Sequence, residues 1–197
     1  MTAPDLDTLT PANIVPFLAE IFVRRGAEEY LGEPLTIAQH MLQCAACAVD
    51  DGEPDELVAA ALLHDIGHFT NEFPDDAADR NLDSRHEEAG ARVLKRFFPQ
   101  VIHDCVRHHV AAKRYLCATD PEYLAKLSPA SVHSLNLQGG PMTEDEAAAF
   151  RQTPHLDAIL KVRIWDDIGK DPDRAVPGFD HYRPMLERLV STQAGKG

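Results

Sequence analysis

The chain has 197 residues, 44% of them apolar, and carries Lys+Arg 19 against Asp+Glu 32 for a formal net charge of −13. That length and apolar content support a buried core without disulfides and exclude a disordered chain. The acidity argues against nucleic acid or an anionic membrane surface as the main partner, because both attract basic faces. No apolar run reaches membrane-spanning length. The stretch from Met1 to Asp7 has neither a basic n-region nor an apolar h-region, so a cytoplasmic protein without a secretion signal is expected. The sequence points to no obligate protein partner.

Helical spacing dominates, and no segment holds the two-residue alternation of a strand for long. A first helix is expected from Asn13, with Pro16 tolerated in its first turn, a stripe of Ile14, Phe17, Leu18, Ile21 and Phe22, and Gly26 at its end. A second runs from Thr36 to about Val49 on Ile37, Met41, Ala45 and Ala48. A third begins after Pro54 with Leu57, Ala60, Ala61 and His64 on one face. Residues 71–83 are polar and proline-bearing, which reads as a loop of functional length. Ser84-Arg85-His86-Glu87 has the form of a capping box opening a helix with Val93, Leu94 and Phe97. After Pro99 a helix aligns Val101, Ile102, Cys105, Val106 and His109. Asp120-Pro121 and Ser128-Pro129 read as helix starts, and Gly139-Gly140-Pro141 as a break. Thr143 to Glu146 and Thr153-Pro154 open two more helices, the second running through Ile159, Leu160 and Trp165. A last helix spans roughly Tyr182 to Val190. The expected fold is all-α, one domain over residues 1–197 without repeats or linkers.

Cys44, Cys47, Cys105 and Cys117 do not form a disulfide frame. Cys44 and Cys47 have zinc-site or redox spacing, but no second pair follows at a comparable interval. Both lie in an Ala-rich helix and read as small buried apolar side chains.

Ten histidines are more than a surface needs, and the strongest local signal is Leu62-Leu63-His64-Asp65-Ile66-Gly67-His68. Adjacent His and Asp at the end of an apolar helix stand about 100° apart on the helical wheel. The imidazole can bind one metal while the carboxylate bridges to a second. An Asp buried there without a cation would carry a heavy desolvation cost. The same residues also fit a helix end capped by Asp65 with His64 as a satisfied core histidine. His40 sits on the stripe of the second helix, one turn from Ile37 and Cys44, and Asp166 lies one helical face on from Ile159.

Together these positions read His…His-Asp…Asp, the ligand order of the HD-domain superfamily, which the chain resembles. The fold implied is an HD-domain helical bundle with the metal site in its core. His86, in the first turn of its helix, and His109, on an apolar face from which His108 points away, extend the set. Four His and two Asp could hold two metals with Asp65 as the bridge. Imidazole and carboxylate in near-octahedral surroundings suit iron or manganese better than a closed thiolate zinc site. His103, His133, His155 and His181 read as surface or structural.

Three runs are more specific: His109-Val110-Ala111-Ala112-Lys113-Arg114-Tyr115-Leu116, Gln138-Gly139-Gly140-Pro141-Met142 and Lys161-Val162-Arg163-Ile164-Trp165-Asp166. With Tyr30-Leu31-Gly32-Glu33 and the stretch His40 to Ala45, they resemble the mixed-valent di-iron HD-domain oxygenases of phosphonate breakdown. The similarity covers roughly residues 27–190 as a catalytic core, leaving 1–26 as an N-terminal segment and first helix. It implies one iron held by His40, His64, Asp65 and Asp166, and a second by Asp65, His86 and His109, as an Fe(II)/Fe(III) pair with O2 as co-substrate. It also implies that His68, Lys113, Ser131, Ser134, Gln138 and Arg163 grip the phosphonate group, and that Tyr30 and Glu33 form a lid meeting the substrate's amino end. A phosphonate dianion calls for fixed cations and several donors. Lys113 lies one turn beyond His109, and Arg163 nearly one turn before Asp166, so both can point at a metal-bound substrate.

The reaction so implied is oxidative cleavage of a hydroxyphosphonate C–P bond to a carboxylate and phosphate, the substrate supplying all four electrons. Residues 71–83 are acidic and lack glycine, unlike the glycine-rich stretch of the member acting on 2-amino-1-hydroxyethylphosphonate. Extra carboxylate, with Phe69, Phe73 and Tyr30, suits a quaternary ammonium ion, which offers charge but no N–H donor. The expected substrate is therefore 1-hydroxy-2-(trimethylammonio)ethylphosphonate, giving glycine betaine, with 2-amino-1-hydroxyethylphosphonate giving glycine as the alternative. An HD-type phosphohydrolase and a non-catalytic HD signalling or binding module are the other readings. The additional His86, His109, Lys113 and Gln138 count against the first, and the full set of six ligands against the second.

Overall fold

The computed structural model of the protein describes residues 6–30, 33–70 and 85–194. Helices follow one another as α1 (Ile14–Arg25), α2 (Ile37–Asp50), α3 (Asp55–Leu63), α4 (Gly67–Thr70), α5 (His86–Leu94), α6 (Gln100–Thr119), α7 (Pro121–Lys126), α8 (Pro129–Leu137), α9 (Glu144–Phe150), α10 (Leu156–Ile168) and α11 (Phe179–Ala194). Among the described residues the extended pairing is a single isolated bridge between Glu29 and Thr36, so the all-α expectation holds. None of the described helices is long and apolar enough to cross a membrane.

Four of the described helix starts are set by side-chain caps. The Thr36 side chain accepts from the Gln39 backbone N–H while the Gln39 side chain returns to the Thr36 N–H, and Thr143 and Glu146 repeat the arrangement. Such a cap contributes about 1 kcal/mol. Asp120 and Ser128 cap α7 and α8, each with proline in the first turn, where its missing N–H costs nothing.

Three helix starts differ from the sequence expectation, and what sets them leaves no periodic trace. The helix α5 is capped by Arg85, in the left-handed region at φ 49 and without a side-chain cap bond, rather than by Ser84. Ser84 and the acidic loop at 71–83 lie outside the described residues. The helix α10 starts at Leu156 after His155 at φ 58, because the Thr153 N–H instead bonds the Phe150 carbonyl at 3.0 Å and closes the turn after α9. The helix α11 starts at Phe179, whose ring packs 4.7 Å from that of Phe22 on α1, and this tertiary contact adds a first turn.

The short helix α3 organises the core. Residues 58–63 are all buried, and the helix packs on α2, α6, α10 and α11. A helix covered on all sides needs apolar residues all round, which is what Val58 to Leu63 supply. Its C-terminal end delivers His64 and Asp65 into the interior. Trp165 is buried and donates from Nε1 to Asp51 Oδ2 at 2.7 Å, tying α10 to the end of α2. The 20-residue α6 runs past both, its buried side carrying Ile102, Cys105, Val106, His109 and Lys113. All four cysteines are buried and free, as expected.

Candidate metal centre

Four helices and the α3–α4 turn converge on one buried cluster. His40 from α2, His64 and Asp65 from the end of α3, His86 from α5, His109 from α6 and Asp166 from α10 are each at most 7% exposed. They fall into two groups around the Asp65 carboxylate. On one side His40 Nε2 lies 3.1 Å from His64 Nε2, and these nitrogens lie 3.6 and 3.4 Å from Asp65 Oδ2. Asp166 closes this group, with Oδ1 3.3 Å from His40 Nε2. On the other side His86 Nε2 and His109 Nε2 are 3.0 Å apart and 3.2 and 3.3 Å from Asp65 Oδ1.

The donor set fits metal ions. Neighbouring ligands on a six-coordinate cation with bonds of about 2.1 Å stand about 3 Å apart, which is the spacing within each group. The Nδ1 atoms of His40, His64 and His109 lie 2.9, 2.8 and 2.7 Å from the carbonyls of Gly169, Ala61 and Val106. Those contacts put the proton on Nδ1 and leave Nε2 as a lone pair facing its neighbour. Asp65 Oδ2 and Asp166 Oδ1 are buried without a hydrogen-bond partner. Lone pairs and orphaned carboxylate oxygens aimed at the same points call for a cation there. His40, His64, Asp65 and Asp166 could hold one ion, and Asp65, His86 and His109 a second.

Electrostatics agree with this. Burial opposes ionisation of Asp65, yet the charge of His64 and the imidazoles of His109 and His86 outweigh it and hold the carboxyl well below its usual range. Burial likewise opposes Asp166, but Arg163 beside it holds it low. Burial works against a charge on His64 too; Asp65 and Asp166 overcome it and push the imidazole up to about 9, so without a metal a second proton takes the Nε2 lone pair. Metal uptake here must release protons. Cys44 comes within 3.8 Å of His40, but its thiol donates to the Trp165 carbonyl at 3.3 Å, and burial pushes its pKa well up. It remains a thiol beside the ligands.

The expected substrate residues divide. Lys113 donates to Ser134 Oγ at 2.7 Å, and Ser134 Oγ donates to the Ser131 carbonyl at 3.1 Å, so these three form one polar cradle next to α10. His68 stacks on His86 with ring centroids 4.1 Å apart, and burial pushes it down to about 3, which keeps it neutral. The Tyr30 ring stacks on His40 at 4.3 Å, placing it over the first group. Gln138 caps the end of α8 and has a buried Oε1 without a partner. Arg163 is clasped by two carboxylates, donating from Nη1 to Asp166 and from Nε and Nη2 to Asp167. It therefore orients Asp166 directly, while Asp167 is steadied by the Tyr123 hydroxyl at 2.6 Å.

Lys113 carries a measurable cost. Burial lowers its ammonium from 10.5 to about 8. The folded state therefore resists the proton that the unfolded chain accepts, in full below about pH 8 and progressively less as pH rises toward 10.5. The gap corresponds to about 3 kcal/mol. Lys113→Met is expected to raise the melting temperature at pH 7, to lose most of that gain at pH 10, and to weaken phosphonate capture. Thermal melts at the two pH values check the sign.

Sequence reasoning missed Gly67, Gly169, Asp167 and Lys170. A Cβ on Gly169 would meet Cys44 Sγ at 2.6 Å, and that close approach lets the Gly169 carbonyl reach His40. Gly67 allows an equally close approach of α4 to α5. The glycine after the His-Asp pair and the acid four residues past Arg163 were the available signals; Gly169 and Lys170 depend on contacts between distant segments.

Residues 36–146 match the HD domain family model. The chain is 55% identical over 195 residues, 99% of its length and 100% of the relative's, to a [1-hydroxy-2-(trimethylamino)ethyl]phosphonate dioxygenase (glycine-betaine-forming) of Leisingera caerulea. It is 37% identical over 185 residues, 92% of its length and 90% of the relative's, to a hydroxymethylphosphonate dioxygenase of Gimesia maris. The family match and the long alignments lead to one conclusion: the chain belongs to the HD-domain family, in the group that contains these phosphonate dioxygenases.

Proposed function

We propose that the protein cleaves the C–P bond of 1-hydroxy-2-(trimethylammonio)ethylphosphonate with O2, releasing glycine betaine and phosphate, at an Fe(II)/Fe(III) pair. The observation that carries the reading is the Asp65 carboxylate, which turns one oxygen to each of two imidazole pairs. The near full-length likeness to the Leisingera caerulea dioxygenase supports the substrate. Residues 27–190 form the catalytic core in this reading.

An iron pair held by His40, His64, Asp65, His86, His109 and Asp166 would supply the place where dioxygen is reduced by the four electrons of the substrate. The residues around it bind and orient. Lys113 brings a positive charge, and Ser131 and Ser134 bring hydroxyls, to the phosphonate dianion, with His68 and Gln138 completing the ring of polar groups. Arg163 holds Asp166 in place and lends its charge to the same side. Tyr30 and Glu33 meet the trimethylammonium group with an aromatic face and a carboxylate. The tyrosine over His40 also keeps water from the reacting carbon.

The test is phosphate release and O2 uptake by iron-loaded protein given the quaternary-ammonium substrate, its primary-amine analogue, or neither. Equal molar O2 consumption and phosphate release are expected, with the quaternary substrate preferred and no phosphate released under anaerobic conditions. Phosphate released without O2 would make the protein a hydrolase, and release from the primary amine alone would move the substrate to 2-amino-1-hydroxyethylphosphonate.

A further inference from the structure

Lys170 follows Gly169 at the end of α10, outside every motif that the sequence singles out. Its ammonium lies 3.4 Å from Glu33 Oε1, donates to Ser131 Oγ at 3.1 Å and stands 5.6 Å from the centroid of the Tyr30 ring. The Lys170 and Glu33 side chains are each 11% exposed, so this is an enclosed contact and not a rim pair. Glu33 is also held by the Ser128 hydroxyl at 2.7 Å, which fixes the carboxylate while Lys170 approaches it.

An aromatic face together with a carboxylate is the general recognition pair for an ammonium ion. Here the pair is taken by an ammonium of the protein itself. On its other side Lys170 touches Ser131, whose carbonyl accepts from Ser134, which in turn accepts from Lys113. The one side chain therefore spans both ends of the substrate region.

We propose that Lys170 is a specificity-determining residue that occupies the cation subsite between Tyr30 and Glu33 until a substrate displaces it. The inference rests on the hydroxyphosphonate reading above. Two ammonium groups contending for one carboxylate repel each other, so a trimethylammonium head must move Lys170 out. The flexible four-carbon stem permits the movement, and Ser131 offers a hydrogen bond on the phosphonate side. A hydroxyphosphonate without a cation leaves Lys170 in place and keeps Glu33 paired. Lys170 thus handicaps cationic substrates and supports neutral-headed ones, which narrows the preference between them.

Lys170→Met keeps the length of the side chain and removes the charge. Calorimetric titration with choline, which carries the cationic head without the phosphonate, should show binding tightened about 5-fold, the scale of one partly screened ion pair. The KM of the iron-loaded variant should fall for 1-hydroxy-2-(trimethylammonio)ethylphosphonate and rise for hydroxymethylphosphonate, each by about the same factor of 5. Lys170→Arg, which retains the charge, should stay close to wild type in all three. Shifts of the two KM values in the same direction, unchanged choline binding, or a Lys170→Arg variant that behaves as Lys170→Met would overturn the proposal. If wild type releases phosphate from neither substrate, the hydroxyphosphonate reading fails, while the choline titration still decides the role of Lys170.

Discussion

Asp65→Asn is expected to strip the protein of metal at both halves of the site and to lower phosphate release at least about 1,000-fold, while leaving it folded. Asn matches Asp in shape but has one ligating oxygen and one NH2. In Asp65 the two oxygens face different imidazole pairs, Oδ2 toward His40 and His64 and Oδ1 toward His86 and His109. Whichever way the amide turns, one half receives an N–H where it needs an anionic oxygen. Even outer contacts to a metal are worth about 10- to 100-fold in affinity, and the shared ligand must be worth more in each half. The amide N–H can be accepted by an imidazole Nε2, so no buried donor is stranded and the melting temperature of the metal-free protein should move little. Metal analysis of purified protein checks this, with His86→Ala as the contrast. Removing a ligand that serves only the second half should cost about half of the bound metal. Turnover retained by Asp65→Asn would refute a bridging carboxylate.

The residues of the candidate site were legible because a core metal site would have to bury them. A histidine or aspartate that reaches a metal in the core of a helical protein must stand on an apolar face, and the 3.6-residue period exposes such faces in the sequence. His40 next to Ile37 and Cys44, and His109 rather than His108, follow from that argument alone, and both side chains are buried at the site. Arg163 was legible as a cation near the centre but not in what it touches. Its clasp between Asp166 and Asp167 is a local i, i+3 and i, i+4 arrangement that orients a metal ligand. Lys170 was invisible because its partners Tyr30, Glu33 and Ser131 come from other parts of the chain and meet it only when α10 packs over α2. The starts of α5, α10 and α11 shifted for other reasons. A left-handed residue or an aromatic contact set them, and neither leaves a periodic trace.

Gly67→Ala carries the second large effect, through space and not through backbone freedom. Gly67 is not among the residues with positive φ, unlike Gly52 and Gly140, which have left-handed φ of 71 and 74 and open space around them. A Cβ on Gly67 would instead lie 1.8 Å from the His86 carbonyl oxygen, 2.7 Å from its carbon and 2.8 Å from the Gly90 nitrogen. All three are backbone atoms, so no side chain can swing away and α5 itself must move. Overpacking of this kind in a well-packed interior costs about 3 kcal/mol, a drop of roughly 10 °C in melting temperature for a chain of this size. The movement carries His86 away from Asp65 Oδ1, now 3.2 Å off, while His40, His64 and Asp166 keep their supports on α2, α3 and α10. Gly67→Ala should therefore lose the second metal preferentially and melt early, whereas His86→Ala loses the same metal with a smaller thermal penalty. Equal melting temperatures for Gly67→Ala and wild type would show that the approach of α4 to α5 is not what places His86.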